Sequence, residues 1–186
     1  MLEGELVKLR PQEPGDLERD YTWFNDPEVT HYLGVRYPVS RAEEERWLRD
    51  ASTNDFASGL RLAIETKEGV HIGNIGLHNP SPENRRAVLG IVIGEPEYWS
   101  KGYGADAIIT VLRFAFHQMN LNRVYLDVFE YNERALACYR KCGFREEGRL
   151  RQDLFKHGRY WDRIVMGILR EEFEAMGKGA GGTGVM

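Results

Sequence analysis

Long apolar runs and cysteines are scarce in this sequence of 186 residues, which has only two cysteines. No stretch of 18 apolar residues occurs, so no membrane-spanning helix is expected. Cys138 and Cys142 are four residues apart with no histidine or further cysteine nearby, which makes a poor zinc site. We expect two partly buried thiols in a reducing compartment and no metal.

The basic-then-apolar order of a signal peptide is also missing from the first residues, MLEGELVKLRPQEPGD. A net charge of −4 argues weakly against a nucleic-acid partner. Apolar residues make up 42% of the chain and charged residues 29%, the balance of a globular protein with one real core. We therefore expect a cytoplasmic protein with no nucleic-acid or membrane partner.

Hydrophobic periodicity predicts strands and helices in a mixed order. Strands are expected at 4–10, 61–69, 71–80, 85–94 and 123–132, helices at 15–25, 38–52, 103–119 and 133–143, and two last strands around a turn at 156–159. A strand–helix–strand unit near 87–129 indicates an α+β domain with a mixed sheet. We place this domain at 4–174 and a glycine-rich tail, expected to be mobile or held by a neighbour, at 175–186.

The segment WSKGYGADAI sets a glycine-rich turn in front of an amphipathic helix. Gly102 and Gly104 let the backbone curl, and the free N–H groups of the helix start favour an anion. A strand leads into the turn, so the segment has the outline of a phosphate-binding site. It is not a P-loop, because no Gly-Lys-Ser/Thr follows, and the third glycine of a Rossmann fingerprint is missing.

Two segments carry a resemblance to a known family. YWSKGYGADAI resembles the Q/R-x-x-G-x-G/A signature of the GNAT N-acetyltransferases, and NERALACYRKCGFREEG resembles their second signature, Asn-x-x-Ala-x-x-x-Tyr-x-x-x-Gly-Phe. The final EEGRLRQDLFKHGRYWDRIVMGIL is similar to the spermidine and ribosomal-protein acetyltransferase branch. The resemblance implies one GNAT domain, a mostly antiparallel sheet of about seven strands flanked by about four helices, and acetyl-CoA as co-substrate.

The resemblance also implies which residues hold the cofactor. The turn N–H groups would bind its pyrophosphate, the strand before the turn would pair with its pantetheine amides, and the second signature would add an asparagine. Trp99 departs from the Gln or Arg of the first signature, which removes a side-chain contact and leaves the backbone donors. The implied residues are Val92, Ile93, Gly94, Trp99, Lys101, Gly102, Tyr103, Gly104, Ala105, Asn132, Ala135 and Tyr139.

In this family a neutral amine attacks the thioester directly. Tyr139 matches the tyrosine that protonates the leaving thiolate, and a backbone N–H near Ile93 would stabilise the oxyanion. Many relatives use a strand glutamate as the base, but Val88 and Leu89 stand near that place here. His78, Asp127, Glu130 or a water chain are left as the proton acceptor.

The acceptor amine stays open at this point. Aromatic and acidic residues in the first two helices and the last hairpin suit a cationic amine. A peptide or protein N-terminal amine is slightly favoured over a polyamine or another small amine. A non-catalytic CoA-binding sensor and a nucleotide-phosphate binder are the alternatives from other classes. Relatives of this branch often form homodimers, and the glycine-rich tail could lie in such an interface. The aromatic and acidic residues considered for the acceptor are Trp23, Phe24, Glu28, His31, Tyr32, Glu43, Glu44, Glu45, Phe155, Tyr160 and Trp161. The other expectation for 43–45 is the solvated first turn of a helix, which the helix dipole favours.

Overall fold

A computed structural model describes residues 1–51, 54–55 and 57–179. The strands are β1 (Leu2–Glu3), β2 (Val7–Pro11), β3 (Leu60–Thr66), β4 (His71–Ser81), β5 (Arg86–Ile93), β6 (Arg123–Phe129), β7 (Arg145–Lys156) and β8 (Arg159–Leu169). The helices are α1 (Leu17–Asn25), α2 (Pro27–Thr30), α3 (Arg41–Ala51), α4 (Tyr103–His117), α5 (Glu133–Lys141) and α6 (Arg170–Gly179). The expected α+β fold is confirmed, with the short β1, α2 and α6 beyond the expected elements.

All these strands form one sheet in the order β1-β2-β3-β4-β5-β6-β8-β7. Every pair is antiparallel except β5 and β6, which the predicted strand–helix–strand connection through α4 makes parallel. Helix α4 covers one face of the sheet with the apolar stripe expected from its spacing. Ile108, Val111, Leu112 and Ala115 of that stripe are buried against the strands.

Strands β5 and β6 separate part of the way along. They pair only between Arg86–Val88 and Arg123–Tyr125. Beyond that point β5 stays paired with β4 as far as Ile93, while β6 pairs with β8 as far as Phe129. The sheet therefore opens between the two strands, at the end from which β5 runs into the turn before α4.

The ends of the chain differ in one respect from the sequence-based expectation. The segment 144–173 was expected to form two strands, but the last strand ends at Leu169 and α6 follows. Glu172 accepts a hydrogen bond from the Leu169 N–H at 2.9 Å, and acidic residues in a first helical turn stabilise a helix start. Residues 175–179 belong to α6, and the rest of the predicted tail lies outside the described residues. No helix in the described part of the chain is long and apolar enough to cross a membrane.

Candidate active site

The opening between β5 and β6 forms a cleft of about 740 Å³. Leu89–Ile93 of β5 and Asp127–Phe129 of β6 form its two walls, and the starts of α4 and α5 close it. Tyr32, Leu33 and Gly34, in the loop after α2, also line the cleft. The predicted residues that line this cleft are Val92, Ile93, Trp99, Gly102, Gly104, Ala105, Asn132, Ala135 and Tyr139.

The glycine turn meets the cleft at the N-terminus of α4. Gly102 is the N-cap with φ of 95°, a left-handed conformation that glycine adopts without strain. The first helical hydrogen bond runs from the Asp106 N–H to the Gly102 carbonyl at 3.0 Å. The N–H groups of residues 103–105 precede it, where an α-helix offers them no acceptor of its own. This end of the cleft therefore suits an anion such as a pyrophosphate.

Three predicted cofactor residues do not line the cleft. Lys101 is exposed on the turn, and Tyr103 packs against the core with its ring 5.2 Å from that of Tyr98. Gly94 is buried, and its N–H donates to the Ile72 carbonyl at 2.9 Å. A Cβ at Gly94 would lie 2.0 Å from the Trp23 ring. Glycine is needed at position 94 because the indole packs directly on the backbone.

Trp99 ties the turn to the end of β5. Its Nε1–H donates to the Ile93 carbonyl at 2.7 Å, so this side chain positions the backbone where the sheet opens. The guanidinium of Arg134 lies 3.7 Å from the Trp99 ring centroid and 4.8 Å from that of Tyr32. The tryptophan at the first signature position thus places the Arg134 cation beside the cleft, where the usual Gln or Arg side chain is missing.

Arg134 also lines the cleft, and the sequence analysis did not single it out. Burial lowers the pKa of its guanidinium from the usual value. Arg134 lies in the first turn of α5, where a cation is unfavourable because the helix dipole is positive at that end. A cation at such a position was the sequence signal that it could bind an anion. Together with the α4 N-terminus, Arg134 makes this part of the cleft electropositive.

Helix α5 presents its signature residues to the cleft. The Asn132 Oδ1 accepts a hydrogen bond from the Ala135 N–H at 3.2 Å, so Asn132 caps the helix and its amide NH₂ is left for another partner. Ala135, Cys138 and Tyr139 lie along the same wall. Both cysteines are free, with Cys138 half-buried and Cys142 buried.

Tyr139 is placed to supply a proton. Burial raises the pKa of its phenol, and the nearby Cys138 and Asp127 raise it further. The phenol is therefore a proton donor at neutral pH rather than a phenolate. Its place on the cleft wall agrees with the role that the resemblance implies.

The three side chains considered as proton acceptor lie in three different surroundings. Asp127 lines the cleft, with its Oδ2 3.3 Å from the Arg163 Nη1. Glu130 faces β7 and β8, where its two carboxylate oxygens bind Arg149 and the Asp162 N–H. His78 lies on the other side of β5, outside the cleft.

His78 lines a hollow of about 270 Å³ between the sheet and helices α1 and α3. Phe24 and Trp47 cover the hollow, and Gln12 and Asn74 supply polar atoms to its wall. The hollow and the cleft share four residues, Leu33, Gly90, Ile91 and Val92. The two spaces therefore meet across β5.

Buried acidic groups lie beneath α1 and α3, next to this hollow. Asp20 is fully buried and accepts a hydrogen bond from the Asn74 Nδ2 at 2.7 Å. Burial raises the pKa of Asp20 to about 6. Glu44 was expected on a solvated helix turn but is only 4% exposed, and burial with the charge of Asp20 raises its pKa to about 7. Its Oε1 meets no donor in the described part of the chain.

No cluster of three or more potential ligands is placed to hold a metal ion within the described ranges. The start of α4 offers N–H donors with the Arg134 cation nearby, and Tyr139 lines the cleft wall. Gln12, Arg61, Asn74 and His78 are the polar residues of the hollow. An anionic cofactor fits the α4 end of the cleft.

This arrangement is the one that the GNAT resemblance implies for an acyltransferase that uses an acyl-CoA thioester, and the comparison with known proteins agrees. Residues 7–145 match the Acetyltransferase (GNAT) domain. The chain belongs to the GNAT family of N-acetyltransferases, which use acetyl-CoA, as the resemblance implied.

Several relatives match almost the whole chain. Spermidine N(1)-acetyltransferase of Escherichia coli is 34% identical over 98% of this chain and 96% of its own length. The N-acetyltransferase YoaA of Bacillus subtilis is 31% identical over 91% of this chain and 97% of its own. Spermidine N-acetyltransferase of Vibrio cholerae, solved with CoA and spermine, superposes with a TM-score of 0.82 at 30% identity, covering 91% of this chain and 98% of that chain.

Proposed function

We propose that this enzyme acetylates the primary amino group of a slender aliphatic amine, and that di- and polyamines are its first acceptor class. The observation that carries this proposal is the junction of the cleft with the narrow hollow across Gly90–Val92. The hollow, of about 270 Å³, has room for a small aliphatic amine but is small for a peptide of several residues. This changes the order favoured by the sequence, which placed a peptide or protein N-terminal amine first.

The surroundings of the hollow contain both groups that attract a cation and one that repels it. Phe24 and Trp47 supply aromatic faces, Asp20 lies behind Asn74, and Arg61 lines the hollow as well. Carboxylates and aromatic faces are the groups that attract ammonium ions. The relatives named as spermidine acetyltransferases agree with this class.

A protein N-terminal amine is the second candidate acceptor. The putative ribosomal N-acetyltransferase YdaF of Bacillus subtilis is 30% identical over 92% of this chain. A peptide of several residues is larger than the hollow, so most of it would lie outside the hollow. A cytoplasmic location and a homodimer stay predictions.

On the cofactor side, this chain's residues would bind and orient acetyl-CoA. The N–H groups of residues 102–105 and the cation of Arg134 would hold the pyrophosphate, and the open edge of β5 at Val92 and Ile93 would pair with the pantetheine amides. When bound, acetyl-CoA supplies an activated thioester. Tyr139 donates the proton that the departing sulfur needs.

The test is release of CoA thiol from acetyl-CoA with a panel of amines. The panel contains 1,3-diaminopropane, spermidine, lysine, an aminoglycoside and short peptides with free N-termini, with N-acetylated peptides as matched controls. We expect the diamine and spermidine to give the highest kcat/KM. Preference for peptides would reverse the order of the two candidates. Tight CoA binding without turnover on any amine would indicate a sensor, and competition by ATP would revive the nucleotide alternative.

A further inference from the structure

The floor of the hollow is a part of the sheet without side chains. Gly76 of β4 and Gly90 of β5 face each other in the strand register. A Cβ at Gly90 would lie 3.0 Å from the His78 Nε2, and one at Gly76 would lie 3.3 Å from the same atom. The imidazole of His78 therefore lies over both glycines and occupies the space that side chains there would take.

The strand beneath the imidazole connects the hollow with the cleft. Gly90 lines both spaces, and Ile91 and Val92 continue the same strand along the cleft wall. Those residues form the part of β5 along which the thioester is proposed to lie. An amine in the hollow would thus have the imidazole on one side and the thioester on the other.

The electrostatic surroundings keep the imidazole neutral. Burial lowers the pKa of His78, and the nearby charge of Arg61 on β3 lowers it further. From the helix side, Asp20 of α1 and Glu44 of α3 supply acidic groups near the Asn74 wall of the hollow. A neutral imidazole can accept a proton, and acidic groups nearby favour the approach of an ammonium ion.

Asp127 and Glu130 are less suited than His78 to accept a proton from the amine. Asp127 is ion-paired with Arg163, so its carboxylate already has a partner. Glu130 is engaged at both carboxylate oxygens on the far side of β6. His78 combines a neutral ring with a place beside the β5 wall.

We propose that the hollow over Gly76 and Gly90 is the acceptor-amine subsite and that His78 is the catalytic base within it. This inference rests on the proposed function. His78 removes one proton from the ammonium group R–NH₃⁺, and the nitrogen lone pair attacks the thioester carbonyl carbon. The carbon–sulfur bond breaks, the sulfur leaves with the bonding electrons, and Tyr139 gives it a proton. The amide nitrogen then loses its second proton, which solvent returns to Tyr139, while His78 releases its proton to solvent.

The test compares two acceptors that differ in basicity, 1,3-diaminopropane and 2,2-difluoro-1,3-diaminopropane. Fluorine substitution leaves the amino group largely unprotonated at neutral pH, so the first proton transfer is no longer needed. We expect His78→Gln to lower kcat for the plain diamine by about 100-fold or more, the usual contribution of a general base. For the fluorinated diamine we expect a loss of about tenfold or less, with unchanged CoA affinity in both cases.

His117→Gln is the matched control, because His117 is exposed on α4 away from the hollow. It should leave both rates unchanged. Equal loss with the two acceptors, or no loss with either, would overturn the role of His78 while leaving the proposed function intact. Failure of the wild-type enzyme with every amine would instead overturn the proposed function and this inference with it.

A second variant covers the case in which His78→Gln does not fold. Gly90→Ala places a methyl group 3.0 Å from the His78 Nε2 and displaces the ring without removing it. It should reproduce the selective loss with the plain diamine. An unaltered ratio of the two acceptors in Gly90→Ala would contradict the proposal.

Discussion

On the cofactor side of β5 the cleft wall comes mostly from one continuous part of the chain, residues 89–141, and its polar contacts are largely backbone N–H groups. On the other side, the hollow takes side chains from α1, α3 and strands β3 to β5. A backbone-built site can be encoded in a short motif, whereas a site built from distant side chains cannot. The cofactor is therefore far easier to infer from this sequence than the acceptor.

The strongest way to sharpen this comparison is to remove the proposed proton donor, Tyr139. Tyr139→Phe keeps the ring on the cleft wall but removes the hydroxyl group, so kcat should fall by about 100-fold or more. CoA affinity, measured by calorimetry, should stay the same because the backbone donors are untouched. Tyr37→Phe, at an exposed position that lines neither the cleft nor the hollow, is the control. Equal kcat in Tyr139→Phe and the wild type would show that solvent protonates the sulfur.

A second prediction tests whether backbone N–H groups contribute more than side chains to CoA affinity. Arg134→Gln removes the cation held between Trp99 and Tyr32, and CoA affinity should fall by about tenfold, the worth of one charged hydrogen bond. The loss should shrink at high salt. Arg140→Gln, exposed on the same helix, should change little. A loss of a thousandfold or more would break the comparison, since a side chain would then dominate. No loss would mean that Arg134 only stacks on the two rings.

The smallest effect concerns stability on the acceptor side. The folded-state pKa of Glu44 is about 7 against 4.5 for the ordinary side chain, so the folded protein is penalised as pH rises from about 4.5 to 7. Glu44→Gln removes this penalty and should stabilise the protein by about 1 to 3 kcal/mol at pH 8. The gain should vanish near pH 4, where both states of the wild type carry a protonated Glu44.

Urea unfolding of Glu44→Gln and the wild type at pH 8 and pH 4 measures this difference, and Glu43→Gln at an exposed neighbour is the control. A gain that did not change with pH would show that Glu44 acts through packing rather than charge. A destabilised variant at pH 8 would show that its carboxylate makes contacts that outweigh the cost of burial.

Residues within one element were easy to predict. Gly102 was identified because its neighbours in sequence are also its neighbours in the turn, and Asn132 because a helix cap is local. The packing of Trp23 on Gly94 was not predicted, since the ring that requires the missing Cβ comes from α1, far away in the chain. Glu44 was expected in solvent because its local pattern is that of a charged helix turn, and only the packing of α3 over α1 buries it.

By itself, the sequence determined the order of strands and helices, the anion-binding turn and the family, because each depends on periodicity or on contacts between near neighbours. The tertiary structure alone decided that β5 separates from β6, that Arg134 lies between Trp99 and Tyr32, and that His78 lies over two glycines. Those arrangements depend on strand register and on the packing of helices from other parts of the chain. A linear pattern does not carry that information.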